Sequence, residues 1–121
     1  MHLEISKRAA RDIDQIYGYS VEQWGKKVAE DYLDSIDAAL ARIQREPSLL
    51  KTKPEASASL CFYRVQKHYL ISALYEDSIF VLAIKHGAMD LPARLSELEP
   101  RLQIEAALLY EDYQAKRSQD N

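Results

Sequence analysis

A single cysteine, Cys61, stands in the 121 residues, so no internal disulfide can form and a disulfide-stapled scaffold is excluded. Cys61 lies in an apolar, strand-like run, which marks it as a buried thiol rather than a nucleophile. Long apolar runs are missing as well. Nothing approaches the roughly 20 residues that a membrane-spanning helix needs, and residues 1–6 lack the apolar stretch of a signal peptide. A cytoplasmic protein with no membrane contact is the expectation. Glycine and proline are scarce, three and four residues, which excludes low-complexity chains and makes each one a candidate boundary. There is also no cationic excess: 16 Lys and Arg stand against 19 Asp and Glu, a net charge of −3. A protein that grips nucleic-acid phosphates with its whole surface carries a strong basic field, so direct sequence-specific nucleic-acid binding is not expected. The acidity sits in the tail, since residues 1–86 hold 12 basic and 12 acidic residues and residues 87–121 hold 4 and 7. Phenylalanine is scarce, two residues, while tyrosine is abundant at eight, which suggests many half-buried aromatic positions.

What is present fits one domain, with about two-thirds of the unfolded surface available for burial at this length. Leu3 and Ile5 alternate with polar neighbours in a short strand, and Ser6 is a good helix N-cap. Ala9, Ile13, Ile16 or Tyr17, Ser20 and Trp24 then recur at helical spacing, Gly25 interrupts, and Val28, Tyr32, Ile36, Ala39, Leu40 and Ile43 form a second stripe. Two helices joined at a glycine make an antiparallel hairpin, which Pro47 closes. Residues 47–59 read as an irregular connection. From Leu60 the period falls to two: a strand to Val65, a turn at Gln66-Lys67, a second strand over 68–75, and a third over 79–85. The third is apolar on both faces, which places it centrally in an antiparallel meander with the hairpin over at least one side. Leu91-Pro92 then opens a further helix whose stripe runs to Tyr113, with Pro100 expected to break or kink it. The fold class is therefore α+β: N-terminal strand, helical hairpin, three-stranded meander and an additional C-terminal helix. Residues 1–95 form the main domain and 96–121 an extension packed on that domain or on a partner.

Specific blocks resemble a known family. Ala9-Ala10, Asp12-Ile13, Ile16-Tyr17 and Tyr19, then Trp24-Gly25, Ala29, Tyr32, Arg64-Val65, Tyr69-Leu70-Ile71 and residues 86–92 occur in the order and spacing found in the RelE/ParE toxin superfamily, nearer its ParE branch. The resemblance covers residues 3–95. It implies a toxin of a type II toxin–antitoxin system, neutralised by a cognate antitoxin of ribbon-helix-helix type that lays a segment along the hairpin and sheet. ParE members stall DNA gyrase, whereas RelE members cut messenger RNA on the ribosome. Cutting RNA needs an acid, a base and cations around the phosphate, yet Ala83 stands where a catalytic arginine aligns and Met89 near the place of the RelE tyrosine. Neither moves a proton, so the resemblance implies gyrase binding, with no catalytic residue, cofactor or metal. A ribosome-dependent nuclease using Arg64, His86, Lys51 and Lys53 is the alternative, and an inactive antitoxin-binding module is a third, since Ala73 and Leu74 replace an aromatic and a basic residue common among relatives.

The target-binding candidates are Arg64, Lys85, His86 and Met89; the antitoxin-binding candidates are Tyr17, Trp24, Tyr32, Tyr69 and Tyr75. Each has a plainer reading beside it. His86 at a strand end reads equally as a histidine that bonds a nearby carbonyl, Arg64 as a solvated or locally paired strand residue, and Trp24 with Tyr19 as residues that close the hairpin and fill the core. Asp12, with Arg8 and Arg11 just before it, reads as helix-surface charge. The leucine stripe of 91–113 must be buried somewhere: against the same molecule's sheet, in a homodimer, or under an antitoxin. Ala73-Leu74-Tyr75 are expected to pack beneath it.

Overall fold

The computed structural model describes residues 1–54, 56–57, 59–87 and 91–119. Strand β1 (His2–Ile5) leads into helix α1 (Lys7–Trp24) and helix α2 (Lys26–Arg45). A 3-10 turn at Pro47–Leu49 follows, then strands β2 (Cys61–Val65), β3 (His68–Leu74) and β4 (Ser78–His86), and helix α3 (Leu91–Gln119). The sheet order is β1-β4-β3-β2. The three later strands form the expected antiparallel meander, and β1 adds to its open side in parallel with β4, pairing His2 with Ser78 through Ile5 with Val81.

Ser6 explains how β1 can stop and α1 start without stranding polar groups. Its Oγ accepts the Ala9 N–H at 3.0 Å, as an N-cap should, and donates to the Leu82 carbonyl at 3.1 Å, fastening the helix start to β4. At the hairpin joint Gly25 has φ +90°, a conformation essentially reserved for glycine. Its N–H still bonds Val21 O and its carbonyl receives Ala29 N–H, so one residue ends α1 and begins α2. Gln66, at φ +52°, takes the left-handed position of the two-residue β2–β3 turn and thereby fixes the register of Val65 opposite His68.

Apolar side chains leave both faces of the sheet. On one, Ile79, Val81, Ile84, Leu70 and Val65 pack against Ala9, Ile36, Ala39 and Ile43 of the helical hairpin. On the other, Phe80, Leu82, Ala83, Ile71 and Phe62 pack against Leu95, Leu102 and Ala106 of α3. The register slips between Ile71 and Ser72, which pair with Ala83 and Val81 and leave Leu82 as an extra residue; Leu82 and Ala83 therefore both enter the α3-side core. Covered on both sides, β4 is buried from Ser78 to Ile84, as its double-faced apolarity predicts.

Several readings of the sequence change. Helix α3 is not broken at Pro100, which sits inside an unbroken 29-residue helix. An internal proline costs about 3 kcal/mol, and the burial of Leu95 and Leu102 on either side offsets it. Val28 is exposed and Ala29 takes the buried place on α2. Tyr19 and Trp24, in edge-to-face contact at 5.8 Å, are not core residues but are 59% and 55% exposed. Beneath α3, Ala73 is buried and Tyr75 stacks on Tyr110 at 4.1 Å, but Leu74 is exposed.

Candidate functional site

Asp12 is the largest departure from the sequence reading. Strand β1 ends at Ile5, so it covers β4 only as far as Val81, and the edge beyond has lost its partner. The Asp12 carboxylate fills that gap: Oδ2 accepts the Ile84 N–H at 2.9 Å and Oδ1 faces Lys85 Nζ at 3.4 Å. The side chain is buried, not surface charge. Lys85, a candidate for target contact, is consequently held along the edge of β4 by this ion pair.

At the same end of the sheet the β2–β3 turn gathers cations around one tyrosine. Arg64 and Tyr69 are cross-strand partners. Arg64 donates from Nε to Gln66 O at 2.7 Å and from Nη1 to Tyr69 Oη at 3.2 Å, while its guanidinium lies 5.1 Å from the Tyr69 ring centre. Lys53 Nζ stands 4.6 Å from the same ring. The hydrogen bond from Arg64, aided by the charge of Lys53, lowers the Tyr69 phenol below its ordinary range. Gly87 makes this packing possible: a β-carbon there would lie 3.1 Å from Tyr69 Cε2 and 3.2 Å from Arg64 Nη1. Among the described residues Lys53, Arg64 and Lys67 form no ion pair, so the patch is locally cationic on an acidic protein.

Around the strand ends from this patch, a groove of about 400 Å³ separates the α1–α2 joint from β3 and β4. Tyr19, Trp24 and Tyr32 wall one side; Lys67, His68 and His86 wall the other. Tyr32 Oη receives the Lys67 N–H at 3.4 Å and meets His68 Nδ1 in a short hydrogen bond. The His68 and His86 rings meet edge to face at 5.0 Å. Burial, then the neighbouring His86 and Arg64, depress His68 to about 4. It is therefore a neutral ring at pH 7, with Nδ1 free to accept the Tyr32 proton. Burial raises the Tyr32 phenol, which keeps it protonated as that donor.

The structure thus brings Arg64 and Tyr69 together, and Trp24, Tyr32 and His86 together beside them. Tyr17 is half-buried on α1 and is not a wall of the groove. Tyr75 lies on the α3-covered face of the sheet, packed on Tyr110 and Phe80. Met89 lies outside the described residues. Sequence reasoning missed His68 and Lys67, whose only signal was the two-residue turn that sets which strand residues face each other. Cys61 is buried and its thiol is raised by burial, in keeping with an inert role. Among the described residues no three His, Cys, Asp or Glu side chains gather as metal ligands. Aromatic faces, unpaired cations and an open groove form a surface suited to docking a macromolecule.

Comparison with known proteins agrees with this architecture. A solved structure described as a chromosomal ParDE TA system from P. aeruginosa superposes with a TM-score of 0.63 at 19% identity, over 71% of this chain and 95% of that one, which establishes the shared fold. Toxin ParE1 of Caulobacter vibrioides is 36% identical over 45 residues, 37% of this chain, and the match spans about half, 47%, of that relative's length. The family model for the ParE toxin of the type II toxin-antitoxin system parDE matches residues 3–91, well over half of the sequence. The chain belongs to the ParE toxin family of type II toxin–antitoxin systems.

Proposed function

We propose that the protein arrests growth by binding DNA gyrase with the cationic end of its sheet, Arg64, Tyr69 and Lys53 with His86 alongside, and that it does so without cutting RNA. The observation carrying this reading is the burial under α3 of Ala83, where the resemblance aligns a catalytic arginine, together with Ile71 and Phe80: that position is packed with apolar side chains and presents no group that moves a proton. A cognate antitoxin, proposed to be of ribbon-helix-helix type, would seat a segment in the groove between Trp24, Tyr32 and His86, and the pairing would take place in the cytoplasm. No described helix is long and apolar enough to cross a membrane.

One observation favours a second reading. Neutral His68, bonded to Tyr32 and close to the charge of Arg64, is the kind of pair a ribonuclease would use as base and acid. Induced expression with and without the antitoxin separates the two. Gyrase binding gives growth arrest with DNA-damage signalling while protein synthesis continues. Halted translation with cleaved messages, and no DNA damage, would overturn the gyrase reading in favour of the nuclease. Antitoxin co-expression restores growth in either case, and no arrest at all would leave an inactive binding module.

A further inference from the structure

Ile104 and Leu108 stand one turn apart on α3 and are 62% and 60% exposed, the most solvent-exposed large apolar side chains described. They lie on the side of the helix away from Leu102, Ala106 and Leu109, which face the sheet. Their row continues in both directions: Glu97, Arg101, Ile104, Leu108, Glu111 and Ala115, all exposed, alternate spacings of four and three, the spacing of a coiled-coil seam. Within the described chain the charged neighbours of this row are engaged elsewhere, Glu105 with Arg8, Asp112 with Lys116 and Arg117 with Asp77. Among the described residues Arg101 and Glu111, on the row itself, form no ion pair.

The row is complementary to its own reversal. Two copies of α3 laid antiparallel about an axis beside Ala106 set Ile104 on Leu108 of the second copy and Arg101 opposite its Glu111, each twice. Laid parallel, the same helices would set Arg101 against Arg101 and Glu111 against Glu111. We propose that this seam pairs with a second copy of the chain, forming an isologous antiparallel dimer. Four aliphatic side chains and two ion pairs make an interface well below the roughly 1,200 Å² of a tight complex, so the dimer is reversible and forms in the range of tens to hundreds of micromolar, about that of small interfaces. It uses the outer side of α3 and leaves the groove on the opposite side of the sheet open.

Sedimentation velocity of the full chain over about two decades of concentration tests this. The average mass of the native protein should rise from that of one 13.9 kDa chain toward twice that value. Leu108→Glu and Arg101→Glu should each weaken association at least tenfold, and Arg101→Glu combined with Glu111→Arg should restore it. Thermal melting of every variant should match the native protein, because the altered side chains are exposed. A native chain that stays monomeric throughout overturns the proposal, as does a dimer indifferent to Leu108→Glu or a double swap that restores nothing. A monomer whose Leu108→Glu variant loses only antitoxin binding overturns it too and assigns the seam to that partner.

Discussion

Removing the Asp12 carboxylate should unfold this protein far more readily than its place in a charged helical run suggests. In Asp12→Ala the Ile84 N–H is left buried beyond the end of β1, and an unmet buried donor costs about 1–3 kcal/mol. Lys85, mostly covered, loses its ion partner in the same step, which adds about 1 kcal/mol after allowance for its residual solvent contact. The sum is roughly 2–4 kcal/mol, equivalent in a domain of this size to a fall of roughly 10 °C in melting temperature. Asp12→Asn separates the two contributions, since an amide oxygen can still accept from Ile84 while the charge facing Lys85 is gone. It should lose only about 1 kcal/mol. Urea titration followed by circular dichroism reads both. If Asp12→Ala lies within about 0.5 kcal/mol of the native protein, as surface substitutions do, or if Asn is as damaging as Ala, the carboxylate does not replace the missing strand and the reasoning fails.

Two further outcomes are expected. Gly25→Ala meets no atom within 4 Å, so its whole effect comes from the +90° φ, and equilibrium unfolding should show a loss of about 1–3 kcal/mol. His68 is depressed in the folded state to about 4 from an ordinary 6.5, so the unfolded chain takes up its proton first as the solution is acidified. The stability it confers is complete above pH 6.5 and drains away as pH falls toward 4; discounted for a half-buried ring, the loss is of the order of 1 kcal/mol. Stability measured from pH 7 to pH 4 should therefore fall less steeply in His68→Asn than in the native protein, and parallel curves would contradict the assignment.

The elements legible in the sequence are those set by local periodicity. The double-faced apolarity of residues 79–84 places β4 at the centre of the sheet, and Gly25 with Pro47 brackets the second helix of the hairpin. What escapes is set by the relative lengths of elements distant in the chain. Asp12 resembles any helix-surface acid until β1 is known to stop three residues short of Ile84. Tyr19 and Trp24 continue an apolar stripe and read as core, but the α1–α2 joint lies beside the β2–β3 turn, where Lys67 approaches Trp24 and no sheet remains to be covered. The stripe of α3 would look the same against its own sheet or against a partner, and only the fold shows Leu95, Leu102 and Ala106 closing over Phe80 and Ile71. Of the site, Arg64, Tyr69 and His86 were visible as residue types at strand ends. Their convergence with Lys53 and His68 depends on cross-strand register and on Gly87, which no local pattern encodes.

The most direct test of the proposed activity is a titration of purified protein into a gyrase supercoiling reaction, native chain beside Lys53→Ala/Arg64→Ala. Native protein should block supercoiling, and the double variant, folded by the criterion of an unchanged far-ultraviolet spectrum, should need roughly 30-fold more, the effect of removing a binding hot spot worth about 2 kcal/mol. Gyrase that is untouched by native protein, or blocked equally well by the variant, would contradict the assignment of the cationic sheet end as the surface that meets the target.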